Sequence, residues 1–196
     1  MTSVAVEFYF GAMSPYSWLA AERMGELLPG AKWRPVFAGG LFKANGRVSW
    51  GLTERRAAGL RDCEARAAAY GIGPIRWPDP WPTNDLLAAR AMLAARRLGV
   101  LVPFALSAMR LSFRERIDLG RLAAVQRAGE RVGLEPEELS AAVADPGLKD
   151  ELRAATDDAV SLGVFGVPTF RVDGALFWGD DRLEEAVSHA RSPAAG

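Results

Sequence analysis

The chain of 196 residues is poor in the side chains that most often carry protein chemistry: it has one cysteine, Cys63, and one histidine, His189. A lone cysteine makes no internal disulfide and no cysteine-based zinc site. A lone histidine excludes zinc held by several imidazoles. With that one histidine and no Gly-x-Ser-x-Gly elbow, no Ser-His-Asp set of the usual elbow-bound kind is present. No Gly-rich phosphate loop and no dinucleotide fingerprint is present. Excess charge is also missing. The 24 basic residues equal the 24 acidic ones, so nothing marks a nucleic acid or an anionic membrane as partner. Only Lys32, Lys43 and Lys149 are lysines, and the arginine excess reads as codon bias rather than anion binding. Long apolar runs are absent. Val100 to Met109 is broken by Pro103 and is far too short to span a bilayer. The start, Met1-Thr2-Ser3 and then Val4 to Phe10, has neither a basic region nor a cleavage site. A cytoplasmic protein is expected. What remains, 49% hydrophobic and 24% charged residues, fits an ordinary globular chain of one domain with room for a large insertion.

The pattern predicts an element order. Val4 to Phe10 is β-rich and stopped by Gly11. Ser14-Pro15 opens a helix to about Leu28, because Ser is a good N-cap and the missing N–H of Pro goes unnoticed at the first helical position. Lys32 to Phe37 reads as a second strand, parallel to the first through a right-handed crossover. Helices then follow over Glu54 to Tyr70, Asn84 to Leu98, Pro103 to Glu115, Leu119 to Val132, Pro136 to Val143 and Leu148 to Leu162, with a proline-rich loop from Ile75 to Pro82. Thr169 to Val172 and Ala175 to Trp178 flank Asp173-Gly174, a strong hairpin signal. Asp181 to Ala190 closes the chain as a helix. The order β-α-β, helical block, α-β-β-α is that of an α/β thioredoxin fold interrupted by an all-helical insertion. The expected division is residues 1–40 and 147–196 for the thioredoxin-like domain and 41–146 for the insertion.

Three motifs could carry chemistry. Ser14-Pro15-Tyr16-Ser17 stands after the first strand, where a thioredoxin fold keeps its Cys-x-x-Cys pair. Serine cannot exchange disulfides, but a hydroxyl at a helix N-terminus can donate to a ligand's thiolate. Val167-Pro168 precedes a strand, where the fold places a cis-proline, and a cis bond there would turn the Val167 backbone toward an extended ligand. Phe177 to Arg182 links the last strand to the last helix. Asp181 suits an N-cap, and the loop's N–H groups with a carboxylate could hold the zwitterionic end of a peptide-like ligand. Cys63, in a helical Ala/Arg stretch, reads as a packing thiol. His189 reads as a surface residue of the last helix.

Taken together the motifs resemble the DsbA-like family of 2-hydroxychromene-2-carboxylate isomerases, relatives of kappa-class glutathione transferases. The residues that carry the resemblance are Phe8-Tyr9-Phe10, Ser14 to Ser17, Asp62 to Gly71, Pro82-Thr83-Asn84, Val164 to Thr169 and Trp178 to Arg182. The resemblance implies glutathione as cofactor, bound by Ser14, Val167, Pro168, Trp178, Gly179, Asp180 and Asp181. Its γ-glutamyl end would lie near Asp180 and Asp181. Ser14 would be the catalytic residue that stabilises the thiolate, which adds reversibly to a chromene carboxylate before ring opening, rotation and elimination. Tyr16, Phe42, Ser49, Trp81 and Asn84 would meet the aromatic substrate, with Trp50 and Trp178 as further wall. No metal is implied, and relatives are often homodimers. The chain departs from the family pattern in one stretch. The family's Asn position falls at Ser49, although Asn45 is close by, the expected Tyr is absent, and the region reads Thr53-Glu54-Arg55-Arg56-Ala57-Ala58. That departure favours a competing expectation, a non-catalytic DsbA-like binding protein of the same fold.

Overall fold

The computed structural model describes residues 4–191. Residues 1–3 and 192–196 lie outside it, and with them Met1-Thr2-Ser3 and the outer limits of the expected thioredoxin-like domain.

Four strands form one sheet in the order β2-β1-β3-β4. Strand β1 (Val6–Phe10) pairs parallel with β2 (Lys32–Pro35) and antiparallel with β3 (Thr169–Val172), which pairs antiparallel with β4 (Ala175–Trp178). Alternation along β1 sends Phe8 and Phe10 to one face and Glu7 and Tyr9 to the other. Phe8 stacks on Phe170 and meets Trp33 edge-on, with ring centroids 5.4 and 4.9 Å away. Glu7 is held between Arg34 of β2 and Arg171 of β3, at 2.7 and 3.0 Å. At Asp173 and Gly174 φ is 48° and 88°, so the hairpin uses the mirror-image turn that its Asp-Gly sequence favours.

Helix α1 (Pro15–Leu27) covers the Phe8 face. Beyond it lie α3 (Arg56–Ala69), α4 (Leu86–Arg97), α5 (Leu101–Glu115), α6 (Leu122–Glu130) and α7 (Pro136–Ala144). A single buried cluster runs from Phe8 and Phe10 through Trp18 and Met24 to Met92, Phe104 and Leu139. Sheet and insertion therefore share one core. A smaller cluster on the other face joins Tyr9, Val36, Leu41, Ala159, Val164 and Val167 under α8 (Pro146–Ser161).

The structure departs from the expected elements in a few places. Strand β2 stops at Pro35, because Val36-Phe37 turn into α2 (Ala38–Ala44), a helix missed in the Ala-Gly-Gly stretch. A 3-10 turn, Trp50–Leu52, precedes α3. Helix α5 starts at Leu101 rather than Pro103, which the first turn tolerates because that N–H would be unpaired there anyway. Asp181 does not cap the last helix. It lies inside a 3-10 turn, Asp180–Arg182, and α9 (Leu183–Arg191) follows.

Candidate functional site

The chain leaves β1 at Gly11, whose α-carbon has little room for a methyl group. Added there, it would meet Val167 Cγ2 at 3.1 Å and Ala38 Cβ at 3.2 Å. This close approach sets the start of α1 against the segment before β3. Ser14 caps α1, its Oγ accepting the Ser17 N–H at 3.2 Å. Its hydroxyl proton has no acceptor among the described residues, so it is free to donate. The first turn of α1 carries no acidic residue, and the positive end of the helix remains available to an anion. Ser17, in contrast, is fully buried and its Oγ accepts the Gly11 N–H. The Val167-Pro168 peptide is cis. The Pro168 carbonyl accepts from the Gly179 N–H at 3.0 Å, while the N–H and C=O of Val167 have no partner among the described residues.

Ser14 and Val167 open onto a cavity of about 1050 Å³. On one side the rings run from Tyr16 to Trp50 to Trp81, with centroids 6.0 and 5.0 Å apart. Trp50 lies flat on Gly59, where a Cβ would overlap its ring. On the other side Trp178 packs on Phe165 at 4.8 Å and covers Gly166. The Arg47 guanidinium sits 5.1 Å from the Trp178 ring, a cation–π contact. Lys43, Arg47 and Arg55 outnumber Glu54 and Asp85 among the charged lining residues, so the wall favours an anionic ligand.

Of the residues singled out from sequence, Ser14, Tyr16, Phe42, Ser49, Trp81, Asn84, Val167 and Trp178 line this one cavity. Several already have internal duties. The Tyr16 hydroxyl donates to Asp62 at 2.8 Å, so its ring rather than its oxygen faces the cavity. Burial and this bond push its phenol above the usual range. Ser49 accepts from the Gly51 N–H, and Asn84 from the Leu86 N–H at 2.9 Å, which caps α4. The Trp81 indole donates to the Met13 carbonyl.

Pro168, Gly179, Asp180 and Asp181 do not line the cavity. Asp180 is 1% exposed. Its two oxygens take the Arg66 guanidinium and the Tyr70 hydroxyl, both at 3.0 Å. Burial outweighs these partners and pushes its carboxyl above the usual range. Arg66 also reaches Asp181 and Asp62, at 3.2 and 2.9 Å. This network fastens α3 to the turn after β4, and Gly179, at φ 116°, makes the bend that presents it. Cys63 is fully buried on α3 beside Tyr16, and burial pushes its thiol up to about 12. His189 is half-buried against the Phe177 ring.

Sequence reasoning missed Asp85. It is 9% exposed on the cavity wall and carries no ion pair, and burial pushes its carboxyl up to about 6. Next to Asn84 and before an apolar run it looks like a helix cap. The only local signal against that reading is that Asn84 can serve instead. Arg47 was also missed, because nothing in a Gly-Arg-Val-Ser stretch announces a ring to stack on.

Comparison with known proteins agrees with this geometry. The DSBA-like thioredoxin domain matches residues 5–190. The chain is 29% identical over 194 residues to the 2-hydroxychromene-2-carboxylate isomerase of Sphingobium xenophagum, covering 94% of this chain and 96% of that protein. It is 25% identical over 199 residues to human glutathione S-transferase kappa 1, covering 91% and 87%. A solved structure of a 2-hydroxychromene-2-carboxylate isomerase superposes with a TM-score of 0.79 at 20% identity, over 96% of each chain. Sheet order, helical insertion, cis-proline before β3 and a match over nearly the whole length make this chain a member of the DSBA-like thioredoxin family.

Proposed function

We propose that this protein is a glutathione-dependent isomerase of the 2-hydroxychromene-2-carboxylate type, or a closely related glutathione transferase, with Ser14 as the residue that stabilises the thiolate. The observation that carries the reading is Ser14 itself. Its oxygen is fixed by the Ser17 N–H, its proton is unclaimed, and it stands at a helix N-terminus that opens onto the cavity.

The residues present suit glutathione. An extended tripeptide can pair with the free N–H and C=O of Val167 as an added strand would. Its ends carry two carboxylates and one ammonium. Lys43, Arg47 and Arg55 offer cations to the carboxylates. For the ammonium, Asp180 is already saturated by Arg66 and Tyr70, which leaves the more exposed Asp181. Bound glutathione supplies the nucleophilic sulfur that adds to, and later leaves, the substrate's double bond. The protein's own part is electrostatic and geometric. The Ser14 hydroxyl and the α1 dipole hold the sulfur charged at neutral pH. Trp50, Trp81 and Trp178 clamp a flat bicyclic substrate, and the cationic wall holds its carboxylate. A disulfide oxidoreductase has no support, since Cys63 is buried away from the cavity and its thiol is far from ionised at neutral pH.

An ultraviolet difference titration of bound glutathione tests this. The bound thiol should ionise at lower pH than the free one, and Ser14→Ala should reverse most of that shift. Turnover of chromene carboxylate should fall about 100-fold or more in the variant, the usual loss for one oxyanion-type donor. A bound thiol no more acidic than free glutathione, or unchanged turnover, refutes the assignment.

A further inference from the structure

Among the described residues Asp85 is the one acidic side chain that is buried on the cavity wall without a cationic partner. Burying an unpaired carboxylate is costly, and a fold keeps one mostly where the group has work to do. Capping is not that work. The first free N–H of α4 goes to Asn84 Oδ1, and the Asp85 side chain makes no cap bond to its own helix. What it faces is the start of α2, where the Ala38 N–H helps the charged form, and the cavity. The other charged side chains on this wall are Lys43, Arg47, Glu54 and Arg55. Asp118 lies behind Thr83, which donates to it, and Arg90 follows on α4 with its Nε buried and unpartnered. None of them offsets the burial of Asp85, whose carboxyl is pushed up to about 6. Such a group gains and loses a proton close to neutrality, which suits a proton carrier.

We infer that Asp85 is a second catalytic residue, the acid–base group that moves the proton during ring opening of the substrate. The inference rests on the isomerase reading above. In a 2-hydroxychromene-2-carboxylate, carbon 2 is a cyclic hemiketal carrying a hydroxyl, a carboxylate and the ring oxygen. Opening needs the hydroxyl proton removed and a proton delivered to the ring oxygen. The Asp85 carboxylate takes the hydroxyl proton. The freed electron pair forms the ketone C=O as the carbon–ring-oxygen bond breaks. The protonated Asp85 then hands the proton to the phenolate so released. One proton enters and leaves Asp85, and no oxidant or further reactant is needed. The neutral Ser14 hydroxyl is too weak a base to take that proton and Cys63 is buried elsewhere, so the cavity offers no better carrier at neutral pH. Glu54 lies on the exposed rim.

Asp85→Asn keeps an oxygen for the Ala38 N–H and cannot carry the proton. Glutathione affinity and the acidity of the bound thiol should stay within about two-fold of wild type, while kcat falls by about 100-fold or more. In wild type, kcat should drop below pH 6 as Asp85 becomes protonated, beyond any drop caused by the thiol, and the variant should keep only the thiol's own titration. Asp85→Glu should recover part of the activity. Asp85→Ser, which also keeps an acceptor, reads the same question if the amide disturbs folding. A readout without substrate is infrared difference titration of the ligand-free protein, in which a protonated-carboxyl band should disappear as pH rises through about 6 in wild type and be missing from Asp85→Asn. Equal kcat and equal pH profiles in wild type and variant, both with glutathione bound, overturn the role of Asp85 and leave that of Ser14 standing. No such band in wild type also overturns it. Wild-type protein that binds no glutathione overturns the Ser14 reading and the proton carrier with it.

Discussion

Asp85→Asn should make the protein more stable at neutral pH while making it a worse catalyst. The magnitude follows from burial. A carboxyl that ionises at 3.8 in the unfolded chain and at about 6 in the fold represents about 3 kcal/mol between its two protonation states. Below pH 4 the group is protonated in both states and costs nothing. Between pH 4 and 6 the folded protein holds a proton that the unfolded chain has released, so stability falls as pH rises. Above pH 6 the full cost of the buried charge stands. The amide never ionises and has no such slope. Urea unfolding of both proteins from pH 4.5 to 8 gives the difference directly, and every other titrating group cancels between them. The variant's stability relative to wild type should rise by about 2 kcal/mol over that range, while whatever the extra amide N–H loses in a buried place offsets all pH values equally. A difference that stays flat within about 0.5 kcal/mol, the scatter of an ordinary surface substitution, refutes the claim that Asp85 is a buried, uncompensated charge.

Other perturbations follow from the same geometry. Asp180→Ala leaves Arg66 and Tyr70 facing a void at the junction of α3 and the β4–α9 turn, and should cost about 3 kcal/mol in urea unfolding; a loss under about 1 kcal/mol would mean the network is not load-sharing. Cys63 should resist thiol reagents in the native protein and react only with unfolding, since it is fully buried and its thiol is pushed up to about 12; rapid native labelling contradicts the placement. Gly59→Ala gains up to about 1 kcal/mol of helix propensity but drives its methyl into the Trp50 ring. The ring must leave the cavity wall, so KM for an aryl substrate should rise with kcat little changed, and an unchanged KM would show that Trp50 is not part of the wall.

Local chemistry made much of the fold readable. Ser14-Pro15 announces the start of α1 because both residues solve the unpaired N–H groups of a first turn. Asp173-Gly174 announces the hairpin because both residues tolerate positive φ. Helix α2 was not readable, because Ala-Gly-Gly has weak helix propensity and depends on tertiary contacts such as the Phe37 N–H given to Thr156 Oγ1 at 3.1 Å. At the site, Ser14, Val167 and Trp178 were legible because each stands at a defined point of the fold. Asp180 was legible as important, but not its duty, since its partners Arg66 and Tyr70 lie more than a hundred positions away. Asp85 was hidden by the ordinary look of an acid at a helix start, and burial is something no local pattern reports.

The sheet order carries a consequence for how the protein is made. Strand β1 leaves the ribosome before the other three strands, and its only neighbour until the helical block is complete is β2. The other edge is completed by β3, which starts at Thr169. While the whole helical block is translated, Phe8 and Phe10 sit on a strand with one row of backbone N–H and C=O groups bare, the kind of edge that invites another chain. Any chain ending before Thr169 keeps that edge permanently. Premature termination should therefore yield aggregates rather than a small folded fragment, and solubility should return only when the C-terminal hairpin is supplied, even as a separate peptide.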